Sequence, residues 1–225
     1  EADVFECEVE GEIPEALRNG SYYRTGGDRL FPTLEDDIIL NGDGMLSMFR
    51  FEGGHVSFRS RYVETERLKA EKAARRRLYG KYRNRFTDDE SVSNLPQRDN
   101  TGNTYAFAHH GELYALREDS RPYRIDPDTL ETLDVADFGK LRSTALTAHP
   151  KVDPDTGNMV AIGYAASGLC SDDVTYYEVD ADGELVREKW FKVPYYCMMH
   201  DFAMTEDYLV LHIVPSIGSW ERLEQ

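Results

Sequence analysis

Asp126-Pro127-Asp128-Thr129, Asp153-Pro154-Asp155-Thr156-Gly157 and Asp180-Ala181-Asp182-Gly183 stand 27 residues apart, and each follows one short strand-like run and precedes another. Aspartate at the first turn position accepts hydrogen bonds from amides ahead of it. Proline presets φ at the next position, and glycine supplies a positive φ. The three segments therefore read as hairpin tips in a strand–turn–strand array. Chance recurrence of a common turn type is the plain alternative. Repeated antiparallel hairpins point to a propeller or a large barrel.

The rest of the chain agrees. Residues 46–51 and 55–63 flank Glu52-Gly53-Gly54, a hairpin signal with two glycines at its tip. Further strands are predicted over 104–108, 112–117, 159–165, 174–179, 184–193 and 208–214. These runs are rich in Tyr, Val, Phe and Ile, which suit a pleated, half-buried surface. Residues 64–79 (ETERLKAEKAARRRLY) differ: they are charged, Ala-rich and helix-favouring, with Gly80 placed to end the helix. Its Arg75-Arg76-Arg77 run reads as a solvated helix face. Residues 88–101 are polar and read as a loop.

Composition narrows the function. The 225 residues include 42 acidic and 26 basic side chains, a formal charge of −16. A field of that sign opposes nucleic-acid phosphates and anionic membrane surfaces, so no nucleic-acid partner is expected. No run approaches the length of an apolar membrane span. Cys7, Cys170 and Cys197 make no zinc spacing and no Cys-x-x-Cys pair. An odd, sparse set of thiols fits a reducing, cytoplasmic setting. Phosphate-loop, dinucleotide, His-Glu-x-x-His and nucleophile-elbow motifs are absent. Asn41-Gly42-Asp43-Gly44 looks like half a calcium loop but lacks the closing glutamate, so it reads as a tight turn.

The six histidines remain. A lone histidine in a β protein is usually a hydrogen-bonded structural residue, and His55, His109, His110 and His212 take that reading. His149, in Thr147-Ala148-His149-Pro150-Lys151, and His200, in Met199-His200-Asp201-Phe202, sit at strand edges about fifty residues apart. Neutral imidazole is a good ligand for divalent iron, copper, nickel or zinc.

An ordered series of short segments then carries a resemblance. It runs from Gly11-Glu12-Ile13-Pro14 and Asn19-Gly20-Ser21-Tyr22-Tyr23-Arg24 through Asn41-Gly42-Asp43-Gly44-Met45-Leu46. It continues with Asn103-Thr104, Leu113-Tyr114-Ala115-Leu116-Arg117-Glu118 and Asp128-Thr129-Leu130-Glu131-Thr132, and ends at the two histidine motifs. The chain resembles the N-terminal half of the carotenoid oxygenase family. That family includes carotenoid and apocarotenoid cleavage dioxygenases, lignostilbene dioxygenases and the retinoid isomerohydrolase of the eye.

The resemblance implies an all-β, seven-bladed β-propeller, covered in part by residues 1–225 as one domain, with a short helical insertion near 64–80. It implies Fe(II) held on the propeller axis by four histidines, of which His149 matches the first and His200 the second. Glu118 matches the first carboxylate that orients these imidazoles; without the resemblance, it would read as a solvated strand-end charge. The implied reaction is cleavage of a conjugated carbon–carbon double bond in a carotenoid, apocarotenoid or stilbene-like substrate. Dioxygen is the co-reactant, and peripheral membrane contact in the parent is left open. Phe107, Tyr164 and Phe202 are core or tunnel residues, with core favoured. Where the family often carries histidine two residues after Asp43-Gly44-Met45, this chain has Ser47.

Family members are about twice this length. The third and fourth ligands are therefore expected beyond Gln225, and this segment alone is expected to bind iron weakly and to be inactive. The alternative function is an iron-free propeller binding module or an inactive truncated relative.

Overall fold

The computed structural model describes residues 1–92 and 100–223. Residues 93–99 of the polar segment read as a loop lie outside the described residues. Three antiparallel four-stranded sheets and a two-stranded hairpin follow one another along the chain. The first sheet has strands β1 (Ala2–Val4), β2 (Gly20–Asp28), β3 (Asp43–Glu52) and β4 (His55–Tyr62), in the spatial order β1-β4-β3-β2. The second is a meander of β5 (Tyr105–His109), β6 (Glu112–Leu116), β7 (Tyr123–Ile125) and β8 (Thr132–Val135). The third is another meander, of β9 (Lys151–Val152), β10 (Met159–Tyr164), β11 (Asp173–Val179) and β12 (Leu185–Lys192). Strands β13 (Phe202–Met204) and β14 (Leu209–Leu211) form the hairpin.

The turns form as the sequence indicates. Gly53 and Gly54 both take positive φ (58° and 88°), so Glu52 can pair with His55 across a two-residue tip. The Asp126 carboxylate accepts from the amides of Asp128 (2.9 Å) and Thr129 (2.7 Å). Asp153 accepts from Asp155 (2.8 Å), and Asp180 from Asp182 (3.0 Å). These tips join β7 to β8, β9 to β10 and β11 to β12. The 27-residue spacing therefore counts hairpins and not sheets: the first tip closes the second sheet, while the other two lie in the third.

Side chains alternate across each strand into two different cores. From β6, Leu113 and Ala115 join Leu46 and Met48 of β3, while Tyr114 and Leu116 join Met159 and Ala161 of β10. The opposite face of β10, with Val160, Ile162 and Tyr164, packs on Val193, Cys197, Met199 and Phe202. All six residues of β10 are buried. Neighbouring sheets are thus pressed face to face, and the half-buried surface expected for these strands is replaced by two-sided burial in β6 and β10. Phe107, Tyr164 and Phe202 belong to these cores.

The charged helix is shorter than predicted. Helix α1 (Glu66–Ala74) is capped by the Thr65 hydroxyl, which accepts from the Leu68 amide at 3.1 Å. It ends at Arg75, whose φ is 56°, five residues before Gly80. The reason is Glu71: its buried carboxylate accepts from the amides of Leu78 and Tyr79, both at 3.0 Å, and folds the chain back. Gly80 serves close approach, since a Cβ there would meet Thr87 Oγ1 at 2.0 Å.

The arginine run is only partly solvated. Arg75 and Arg76 are exposed, whereas Arg77 sits with buried Arg67, Asp37, Asp43 and Glu71. Asn41-Gly42-Asp43-Gly44 begins in a tight turn, with the Gly42 amide donating to the Ile39 carbonyl at 3.0 Å. A 3-10 turn over Ile39–Asn41 feeds directly into β3, burying Asn41 and Asp43 against α1.

Gly163 of β10 has no room for a side chain: a Cβ there would meet the Ala145 carbonyl at 2.2 Å and Thr175 Oγ1 at 2.7 Å. Gly163→Ala should therefore cost about 1–3 kcal/mol. Gly20→Ala, where the nearest atom is 3.7 Å away, should stay within about 0.5 kcal/mol. Urea midpoints of the two variants check this, and equal midpoints would contradict the packing.

Candidate metal centre

The edge strands of successive sheets come together. Strand β2 touches β5, and the ring of Tyr105 in β5 lies 5.8 Å from that of His149. His149 precedes β9 by two residues, and His200 precedes β13 by two. The same place in the third and fourth units thus carries an imidazole, and the corresponding place before β5 carries Asn103.

Short polar contacts lock the two histidine motifs together. The Thr147 hydroxyl accepts from the His149 amide at 3.1 Å and donates to the His200 carbonyl at 3.5 Å. Lys151 donates to Asp201 at 2.7 Å. Burial works against the Asp201 carboxylate, but Lys151 and the Phe202 amide outweigh it and hold it below the usual carboxylate range.

The imidazoles meet edge to edge, with His149 Nε2 and His200 Nε2 3.0 Å apart. His200 Nδ1 is bonded to Glu118 Oε1. Glu118 follows β6, so three sheet units contribute to one point. Burial, then the neighbouring His200, pulls the pKa of His149 below the usual histidine value, which keeps this ring neutral. With Nδ1–H donated to Glu118, a neutral His200 leaves a lone pair on Nε2. Two lone pairs 3.0 Å apart repel unless a proton or a cation lies between them. Nitrogen ligands about 2.1 Å from one ion and roughly at right angles stand about 3.0 Å apart, so the pair fits a shared metal ion. Among the described residues, no group of three or more histidine, cysteine or carboxylate side chains is arranged to hold a metal. His149 and His200 could thus supply part of a ligand set.

A cavity of about 750 Å³ opens beside His200 and Glu118. Arg24, Ser47, Ile39, Leu40, Tyr82 and Met198 contribute to its wall. That volume suits a small organic molecule. His200 is 56% exposed on this side, while Glu118 is 13% exposed. Ser47 lies on this wall.

Three of the other four histidines have polar partners, while His212 is exposed. His55 bonds Glu6 at 2.9 Å, His109 the Asp180 carbonyl at 3.0 Å, and His110 the Tyr114 hydroxyl at 2.6 Å. Sequence reasoning missed Arg83, Asp119 and the Tyr164 hydroxyl, all beside Glu118. A tyrosine ending an otherwise apolar strand is a weak signal for Tyr164; Arg83 lies in a segment without periodicity and gives none.

A family model described as retinal pigment epithelial membrane protein matches residues 1–225. The chain belongs to the carotenoid oxygenase family. This family member is 48% identical over 226 residues to lignostilbene-alpha,beta-dioxygenase isozyme III of Sphingomonas paucimobilis, with 100% of the chain and 46% of that protein covered. It is 46% identical over 225 residues to isoeugenol monooxygenase of Pseudomonas putida, again covering 100% of the chain and 46% of the relative. The crystal structure of Pseudomonas brassicacearum lignostilbene dioxygenase superposes with a TM-score of 0.93 at 43% identity, over 100% of this chain and 46% of that one. The chain spans about half the length of the curated relatives it matches. The fold is the propeller-like one of this family, and no helix among the described residues is long and apolar enough to cross a membrane.

Because His149 is more acidic folded than unfolded, the unfolded chain binds its proton more readily. The metal-free protein should lose stability as pH falls through about 6.5, the ordinary histidine value, and the loss should level off below the folded value. His149→Gln should flatten that part of the profile. Urea midpoints from pH 8 to 5 check this, and an unchanged slope in the variant would refute the assignment.

Proposed function

We propose that the chain is the N-terminal part of a non-haem iron(II) dioxygenase that cleaves a conjugated carbon–carbon double bond into two carbonyls. The observation that carries this reading is the convergence of His149 and His200, with Glu118 on the far nitrogen of His200. His149 and His200 would each offer a neutral Nε2 to Fe(II). Bound there, iron would activate dioxygen for insertion across the alkene. Glu118 accepts the Nδ1–H of His200, which fixes its tautomer and makes the ligand more basic. The whole protein would complete a seven-bladed propeller, of which residues 1–225 supply three sheets and the start of a fourth. Further ligands would come from the rest of that propeller.

The substrate class is a small conjugated aryl alkene of the stilbene type in preference to a long carotenoid. The relatives above are named for lignostilbene and isoeugenol, both aryl alkenes. The cavity beside His200 mixes apolar Ile39, Leu40 and Met198 with polar Tyr82 and Arg24, which suits a ring bearing oxygen substituents. An electron-rich conjugated alkene can supply electrons for oxygen activation, so no organic cosubstrate is required. Three unpaired thiols suit a cytoplasmic setting.

The test uses the full-length protein. Purified wild type should carry about one iron per chain and convert a 4-hydroxystilbene in ¹⁸O₂ to two aldehydes. His149→Ala and His200→Ala should each lose iron and turnover, and Glu118→Gln should weaken iron binding about 10–100-fold. Iron retained in both histidine variants, or a product with its carbon–carbon bond intact, would overturn the proposal.

A further inference from the structure

Glu118 does not face His200 unaided. One carboxylate oxygen, Oε1, takes the imidazole Nδ1. The other, Oε2, accepts from the Tyr164 hydroxyl at 3.1 Å and lies 3.4 Å from Arg83 Nη2. Arg83 Nη2 also donates to Asp119 Oδ2 at 2.8 Å and to the Tyr164 hydroxyl oxygen. The guanidinium is sandwiched near two aromatic rings, 5.2 Å from the centroid of Tyr82 and 5.6 Å from that of Tyr164. Tyr164 is 1% exposed, and the Arg83 side chain 13%. Arg83 holds this pose from a backbone φ of 56°, a region that non-glycine residues seldom occupy. Local backbone preference does not select this conformation, so the surroundings impose it.

We propose that Arg83 and Tyr164 clamp the outer oxygen of Glu118 and thereby fix the ring orientation and tautomer of His200, leaving its Nε2 lone pair free. Neither residue touches the reacting atoms; both are positioning residues. A carboxylate held at one oxygen alone can swing about its last torsion and release the imidazole. With both oxygens tied, it presents Oε1 in one direction. Asp119 completes the balance: Arg117 Nε reaches Asp119 Oδ1 at 3.2 Å, so two carboxylates face two guanidinium groups. Sequence distance explains why the clamp is invisible in the chain. Arg83 lies 35 residues before Glu118, and Tyr164 lies 46 after it.

The metal readout of the test rests on the iron reading above; the tautomer readout does not. In metal-free, ¹⁵N-histidine-labelled full-length protein, NMR should find His200 as the Nδ1–H tautomer. Arg83→Met and Tyr164→Phe should each give a mixture of tautomers. In iron competition against a chelator, each variant should bind roughly tenfold more weakly, with Arg83→Lys recovering most of the loss. Against a Glu118→Ala background, neither substitution should weaken iron further, because both act through that carboxylate. A wild-type tautomer in both variants, or the same tenfold loss without Glu118, would overturn the clamp. Should Arg83→Met fail to fold, Tyr164→Phe, which removes one hydroxyl and keeps the packed ring, decides the matter alone. A wild type that binds no iron, with the tautomer shift intact, would defeat the iron reading and leave the clamp standing.

Discussion

Everything in this structure rides on strands that bury both faces. In β6 and β10, successive side chains go to opposite cores, so the second and third sheets are gripped by their neighbours on both sides. A buried Leu, Ile or Tyr side chain contributes roughly 1.5–3 kcal/mol, while a typical net hydrogen bond contributes about 1 kcal/mol. Packing therefore sets the register, and the polar contacts of the site follow from it. A one-residue slip in β10 would send Val160, Ile162 and Tyr164 into the wrong core and take the Tyr164 hydroxyl away from Glu118.

That stacking also explains the meeting of distant chemistry. Because each sheet is turned against the last, the residues just ahead of β9 and β13 arrive at one place, and the end of β6 arrives beside them. The electrostatics there are short-ranged. The His149 imidazole is held below the usual histidine pKa, one carboxylate supports the His200 ring, and arginines offset the remaining negative charge. The net charge of −16 acts at long range, on what the whole surface repels, and leaves these contacts unaffected.

Beneath α1 lies a second polar layer with a different task. Arg67 donates to Asn41 Oδ1 at 2.8 Å and to its carbonyl at 3.1 Å, Asn41 donates to Asp37 at 2.8 Å, and Asp37 accepts from the Tyr82 amide at 3.0 Å. This chain of contacts ties the segments bearing Ile39, Leu40 and Tyr82 to the helix, and those residues line the cavity. Burying such charges costs several kcal/mol per ion before pairing. The gain is a fixed position for a wall that has little apolar packing of its own: Ile39 is 69% exposed and Leu40 58%.

Much of this was legible in the chain. The hairpin tips, the glycine pair at 53–54, the strand-rich pattern and the two candidate histidines follow from local chemistry: turn geometry, side-chain period and ligand type. The length of α1 did not, because Glu71 ended the helix through amides seven and eight residues further on. Nor did the buried state of Arg67 and Arg77, since a charge run looks the same whether it meets water or a buried carboxylate. Short strands such as β9, β7 and β13 have too few residues to show a period. The sequence by itself determined which groups were available and where the chain would turn. The 3.0 Å approach of His149 to His200, the grip of Glu118 on one imidazole and the arrival of Arg83 and Tyr164 behind it were decided only by the tertiary structure, because contacts between residues 35 to 82 positions apart exist only once the sheets have stacked.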